Sequence, residues 1–147
     1  MTPITLNNEI TLLKNGDAYF PAIEAAIDGA RQEIYLETYI FKMDKIGRCI
    51  SEALRRAALR GVKTHLLMDG FGSIIFPQST FDSLRGEGIR IRKFRPKTSP
   101  WTLRRRRLRR LHRKILVVDR TIAFVGGINI IDDLDGLLRR IDNMEDV

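Results

Sequence analysis

Apolar residues in this chain change repeatedly between helical and strand spacing, and that alternation restricts the fold more than any other feature. Segments with helical spacing alternate with runs rich in β-branched and aromatic residues, in the order 18–32, 33–41, 46–60, 62–68, 78–86 and 89–94. Helices that connect successive strands cover a face of the sheet that those strands form. The order therefore predicts an α/β fold in which a β-sheet is covered by helices.

Two shorter apolar runs follow, at 114–118 and 121–125. Only Asp119 and Arg120 separate them, which is the spacing of a tight hairpin between antiparallel strands. From residue 132 onward the sequence becomes acidic and loses its periodicity. We therefore expect three parts: a lead at 1–14, one domain at 15–135, and a truncated or aberrant tail at 136–147.

The positive charge of the chain is concentrated in one segment. The 147 residues include 26 Lys and Arg against 18 Asp and Glu, for a net charge of +8. Residues 90–114 contain thirteen of the basic residues and no acidic residue. Such a dense patch predicts an anionic partner: a nucleic acid, an acidic lipid surface or a phosphorylated substrate.

Composition excludes several protein classes. With 44% hydrophobic residues the chain can bury a core, so wholesale disorder is excluded. Cys49 is the only cysteine, so no internal disulfide forms, and its place on a helical apolar face predicts core packing. We find neither a signal-peptide pattern nor an apolar stretch near the roughly 20 residues of a membrane-spanning helix. We expect a cytoplasmic chain that is soluble or peripheral to the membrane.

One stretch carries the residues for phosphate chemistry. His112 and Lys114 are two residues apart, so on an extended segment their side chains point the same way. A neutral imidazole can attack phosphorus, and an ammonium group can neutralise the non-bridging oxygens. The alternative is that both residues belong to a solvated basic arm. His65, the other histidine, lies inside a strand with no lysine two residues later, so we predict a packed or surface role for it.

Further candidates follow within fifteen residues of Lys114. Gly126 and Gly127 allow the backbone to approach a bound phosphate, and the Asn129 amide can donate to it. Asp119 lies at the hairpin corner, so we predict that its carboxylate has a structural role, holding nearby backbone or a lysine, rather than acting as a base.

The spacing His-x-Lys-x4-Asp-x6-Gly-Gly-x-Asn at residues 112–129 resembles the signature of the phospholipase D superfamily. The surrounding sequence is similar to the bacterial cardiolipin synthase branch of that superfamily. The similarity covers about residues 12–135 and includes the segments 15–23, 36–41, 44–47, 69–73 and 110–130.

The resemblance implies a mixed β-sheet flanked by helices on both faces and a two-step transfer through a phosphohistidine, without metal or other cofactor. It implies that His112 is the nucleophile and that Lys114, Gly127 and Asn129 bind the phosphate. Asp119 is then the acidic member of the catalytic motif. A downstream carboxylate usually orients the family's histidine, and Asp142 lies roughly where the resemblance places it.

Family synthases carry two such motifs, and their two histidines share the work of attack and protonation. This chain has one motif. We therefore expect either a symmetric homodimer or the N-terminal half of a longer enzyme, and we favour the half because the tail does not match beyond residue 135.

Three functions remain as hypotheses. The first is phosphatidyl transfer of the cardiolipin synthase type, with an anionic phospholipid such as phosphatidylglycerol as substrate. The protein would be peripheral on the cell membrane, with Trp101 and Leu103 as interfacial anchors. The second is a dimeric phosphodiesterase acting on nucleic acid, which the lipid-synthase-like glycine context makes the less favoured reading. The third is an inactive remnant that serves as a basic binding module.

Overall fold

A computed structural model describes residues 8–95 and 110–132 of the chain. Three helices and five strands occur in these residues. The helices are α1 (Asn15–Gly29), α2 (Lys45–Leu59) and α3 (Gln78–Gly86). The strands are β1 (Glu33–Thr38), β2 (Lys63–Asp69), β3 (Arg90–Phe94), β4 (Ile115–Val118) and β5 (Ile122–Val125). The predicted succession of elements is confirmed.

The five strands form one mixed sheet in the order β3-β2-β1-β4-β5. Strands β1, β2 and β3 are parallel, because each is joined to the next by a helix. Strand β4 runs antiparallel to β1, and the turn at Asp119 and Arg120 returns the chain as β5. Both turn residues have positive φ, as the tight hairpin requires.

The core lies on one face of this sheet. Ile34 and Leu36 of β1 are buried on that face together with Ile50 and Leu54 of α2. The helices also contact one another there. Arg56 of α2 forms an ion pair with Asp28 of α1, and Arg55 of α2 donates a hydrogen bond to the hydroxyl of Ser83 in α3. The described helices therefore cover the same face.

The strand residues that alternate with these buried ones lie on the opposite face of the sheet, among them Tyr35, His65 and Arg90. No helix of residues 8–95 or 110–132 covers it, so the expectation of helices on both faces is not met in the described part. A groove on this face runs along β1, β2 and β3. His65 stacks on Tyr35 with 4.5 Å between ring centroids, which confirms its predicted packed or surface role.

The strand predicted at 33–41 ends at Thr38. The Thr38 hydroxyl donates to the Ile40 carbonyl, so the chain turns out of the sheet instead of continuing along it. The next residues of the chain bond to loops instead: the Ile40 amide donates to Asn129, and the Phe41 amide donates to Ser73. Residues 112–114 precede β4 and lie outside the ladder of the sheet.

Cys49 lies between α1 and α2, where its thiol donates to a Glu24 carboxylate oxygen at 3.0 Å. Burial, aided by that carboxylate, raises the pKa of the thiol to about 11. Cys49 is only partly buried, so it lies at a contact between two helices and not in the core that the sequence predicted. Within the part of the chain that the structure describes, no helix is long and apolar enough to cross a membrane.

Candidate active site

His112 and Lys114 lie against the same aromatic ring. The imidazole of His112 stacks on Tyr39 with 4.4 Å between centroids and 30° between planes. The Nζ atom of Lys114 lies 5.5 Å from the centre of the Tyr39 ring and donates to the His112 carbonyl at 3.0 Å. His112 is exposed and Lys114 is half-buried. The structure thus brings the two predicted side chains together beside an accessible surface.

A buried carboxylate fixes the segment that carries His112. Asp69, at the end of β2, has no exposed surface. One of its oxygens accepts from the Leu111 amide at 2.9 Å, and the other accepts from Phe71 and Gly72 at 2.8 and 3.1 Å. Three amide donors offset the cost of burying the charge. Asp69 therefore ties the loop after β2 to the residue before His112.

The loop after β2 also holds Tyr39. The hydroxyl of Ser73 donates to the Tyr39 carbonyl and accepts from the Phe41 amide, both at 3.0 Å. Gly72 contacts Tyr39 so closely that a Cβ would lie 2.4 Å from the Tyr39 carbonyl oxygen and 2.9 Å from its ring. Only glycine fits at this position without movement of the backbone.

Asn129 bonds to the segment that follows β1. Its Oδ1 accepts from the Ile40 amide at 3.2 Å, and the Ile130 amide donates to the Ile40 carbonyl at 3.1 Å. The bond from the Ile40 amide occupies the side-chain oxygen of Asn129. The Nδ2 group of Asn129 is then the donor that a bound phosphate could use. Space is open around Gly126 and Gly127, where an added Cβ would meet nothing within 4 Å.

Asp119 lies away from these residues, at the far end of β4. The four residues of β4 alone span roughly 13 Å. The Asp119 carboxylate accepts from the backbone amides of Arg31, Gln32 and Glu33 at 2.8, 2.8 and 2.9 Å. Those bonds, the Glu33 amide first, lower the pKa of Asp119. All three of these hydrogen bonds come from the backbone before and at the start of β1, and the structure does not bring Asp119 to His112 and Lys114 as a catalytic group.

Cations surround the site. The guanidinium of Arg110 lies 4.8 Å from the centre of the Phe71 ring, and Arg113 forms an ion pair with Glu37 at 2.9 Å. In residues 8–95 and 110–132, no cluster of His, Cys, Asp or Glu side chains could hold a metal ion. Asp142, Trp101 and Leu103 lie outside the described residues.

A family model described as the phospholipase D-like domain of cardiolipin synthase matches residues 23–133. The matched range contains His112, Lys114, Asn129 and the residues that position them. The chain belongs to this family.

Relatives of this cardiolipin synthase-type domain are longer proteins. Cardiolipin synthase B of Salmonella typhi is 45% identical over 122 residues, which are 83% of this chain and 30% of that protein. Cardiolipin synthase A of Pseudomonas putida is 40% identical over 134 residues, which are 91% of this chain and 28% of that protein. The chain thus spans less than a third of the length of these relatives.

A solved structure supports the phospholipase D-like fold. The crystal structure of a phospholipase D family member, Nuc from Salmonella typhimurium, is similar with a TM-score of 0.57 and 22% identity. The match covers 78% of this chain and 66% of that one. At this identity the likeness concerns the fold alone.

Sequence reasoning assigned no individual role in the site of this cardiolipin synthase-type domain to Tyr39, Asp69 or Ser73, although the segments 36–41 and 69–73 belong to the family similarity. The glycine-containing loop at 69–73 follows a strand, and in α/β folds the loops at the carboxyl ends of strands often contact ligands. The position of this loop was therefore a signal in the sequence. Tyr39 gave no such signal, because it resembles any aromatic residue of a buried strand. Its role depends on the chain leaving the sheet after Thr38.

Proposed function

We propose that this chain carries a phosphatidyl-transfer site of the cardiolipin synthase type, with His112 as the nucleophile. The observation that carries the proposal is the pairing of His112 and Lys114 on the Tyr39 ring, with Asn129 bonded to Ile40, the residue after Tyr39. That pairing puts a nucleophile and a cation next to a neutral hydrogen-bond donor, which is what a phosphodiester substrate requires. Membership of the family supports the same chemistry.

The first step breaks the substrate phosphodiester. A ring nitrogen of neutral His112 attacks phosphorus, an N–P bond forms, and the P–O bond to the leaving glycerol breaks. Lys114 and Asn129 stabilise the charge on the non-bridging oxygens, while a second acid protonates the glycerol alkoxide. In the second step a hydroxyl of the acceptor lipid attacks the phosphohistidine, loses its proton to that second group, and restores His112.

A histidine that attacks phosphorus as a nucleophile is poorly placed to protonate the leaving alkoxide in the same step. We therefore propose that the second acid comes from another motif, either in a second copy of the chain or in a further half of a longer enzyme. The proposed substrate is an anionic phospholipid such as phosphatidylglycerol. The proposed location is the cytoplasmic surface of the cell membrane.

The decisive experiment uses the full chain with phosphatidylglycerol labelled at phosphorus. We expect rapid quenching in alkaline detergent, in which the N–P bond survives, to trap label on the native protein and on His65→Ala, and none on His112→Ala. His65→Ala is the matched control because it removes the other histidine of the chain. Label that survives in His112→Ala, or a native chain that forms dimers and takes up no label, contradicts the proposed role.

A second function, hydrolysis of nucleic acid by a dimer, is favoured by the open sheet face. Arg90 and Arg92 are exposed there beside the stacked rings of Tyr35 and His65, and such a surface suits a polyanion with bases. Binding that weakens steeply with salt, together with cleavage that survives EDTA, would support this alternative. A monomer that neither cleaves nucleic acid nor takes up label would support the inactive binding module.

A further inference from the structure

Three large apolar side chains are exposed on the loop between β2 and α3. The exposed fractions are 52% for Phe71, 71% for Ile74 and 64% for Ile75. Phe76, the next residue, is buried against Phe41 and anchors the loop to the core. Single exposed apolar residues are ordinary, but three within five residues form a patch, and exposed apolar patches mark interaction sites.

This apolar loop, Phe71 to Ile75, adjoins the candidate active site. Gly72 packs on Tyr39, whose ring stacks on His112. The carboxylate of Asp69 joins the start of the loop to Leu111, the residue before His112. A surface that binds the apolar loop would therefore lie next to the proposed nucleophile.

Basic side chains border the apolar loop. The Arg110 guanidinium lies over the Phe71 ring, and Lys93 Nζ lies 5.9 Å from the centre of the Phe76 ring. Apolar side chains with adjacent cations match a bilayer surface, where acyl chains lie beneath anionic phosphates.

We propose that Phe71, Ile74 and Ile75 insert into the interfacial region of an anionic phospholipid bilayer while Arg110 and Lys93 bind lipid phosphates. The inference deepens the proposed function, on which it rests for the lipid nature of the substrate. Insertion of the loop holds His112 at the level of the headgroups. A second copy of the chain fits this surface less well, because a symmetric contact would bring the basic borders of two loops together.

Vesicle binding tests the proposal with the full chain. We expect co-sedimentation with vesicles of phosphatidylglycerol and phosphatidylcholine, and little with phosphatidylcholine alone. The triple variant Phe71→Ser, Ile74→Ser, Ile75→Ser should lower the partition coefficient about tenfold or more, since it removes the three apolar side chains that insertion would bury in the bilayer. The control is Leu59→Ser with Ile122→Ser, which removes exposed apolar residues at the end of α2 and the start of β5, outside the apolar loop. It should stay within about twofold of the native value.

Insertion depth provides a second readout. Ile75→Trp in a Trp101→Phe background should be quenched by brominated acyl chains in anionic vesicles, whereas Leu59→Trp in the same background should not. Equal partitioning of the triple variant and the native chain overturns the proposal, as does an unquenched Ile75→Trp. A triple variant that loses self-association but binds vesicles normally would assign the loop to a contact between copies instead.

These measurements need no turnover, so they separate the two proposals. His112→Ala should bind vesicles like the native chain. Vesicle binding that depends on the loop, in a chain that takes up no label from phosphatidylglycerol, would contradict the proposed function and leave the lipid-binding loop standing.

Discussion

The ring of Tyr39 lies against the imidazole of His112, with 4.4 Å between their centroids. The same tyrosine ring lies under the ammonium group of Lys114. Tyr39 itself is held by Gly72 and Ser73, so the loop after β2 determines where the imidazole lies. The candidate site is therefore ordered by backbone contacts before any substrate arrives, which is the condition for efficient attack by a positioned nucleophile.

Tyr39→Leu should slow the labelling of His112 roughly tenfold to a hundredfold, because a displaced nucleophile loses alignment with phosphorus. Tyr39→Phe keeps the ring and should label at nearly the native rate. NMR provides a readout that does not depend on turnover: the ring protons of His112 should lose their upfield ring-current shift in Tyr39→Leu and keep it in Tyr39→Phe. Tyr35→Leu is the control, since it should move only the signals of His65. Unchanged His112 signals in Tyr39→Leu would refute the positioning role.

Gly72→Ala should destabilise the fold and disturb the site together. The added Cβ would meet the backbone oxygen of Tyr39, which cannot rotate away, so we expect a loss of about 1–3 kcal/mol in the free energy of unfolding. Gly86→Ala, in helix α3, is the matched control: a Cβ there meets nothing within 4 Å, and alanine favours the helix. Urea unfolding measures both. Similar values for the two variants would contradict the close packing at Gly72.

Asp119 should contribute to stability in a pH-dependent way. Its folded pKa is lowered by three backbone amides, so the contribution is complete above the unfolded pKa of about 4 and is lost as the pH falls through the folded value. Asp119→Ala should lower the Tm by a few degrees at pH 7 and reduce its dependence on pH below about 4. Thermal unfolding followed between pH 2 and 7 measures the effect. A variant with the native Tm at pH 7 would show that the three hydrogen bonds contribute little.

Cys49 should react slowly with thiol reagents. Because its pKa is raised to about 11, little thiolate forms at pH 8, and alkylation by iodoacetamide should accelerate as the pH rises toward 11. In urea the rate should rise severalfold at pH 8, since unfolding returns the thiol to its ordinary pKa. The single cysteine makes the measurement unambiguous. Equal rates in the native and unfolded chain would contradict the buried contact with Glu24.

The order of helices and strands could be predicted from the sequence because spacing of apolar residues reports directly on which face is buried. The pairing of His112 with Lys114 was predictable for the same reason, since residues two apart on an extended segment share a side. The exposed sheet face was not predictable, because Tyr35 and Leu67 are apolar enough to suggest burial on both faces. The contacts of Tyr39 and Asp69 join positions more than 40 residues from their partners, and no local pattern encodes such distances.

The last prediction concerns Asp69, the carboxylate on which the order of the site depends. Asp69→Asn keeps the size of the side chain but replaces one oxygen by an amino group, which cannot accept from a backbone amide. At least one of the donors Phe71, Gly72 and Leu111 then loses its partner, and an unsatisfied buried group costs about 1–3 kcal/mol. If Leu111 is released, labelling of His112 should fall by more than the loss of stability alone explains at a temperature where the variant is fully folded. Asp82→Asn, an exposed change on α3, should leave both the free energy of unfolding and the labelling rate unchanged. An Asp69→Asn chain that is destabilised but labels normally while folded would show that Asp69 supports the fold without positioning the nucleophile.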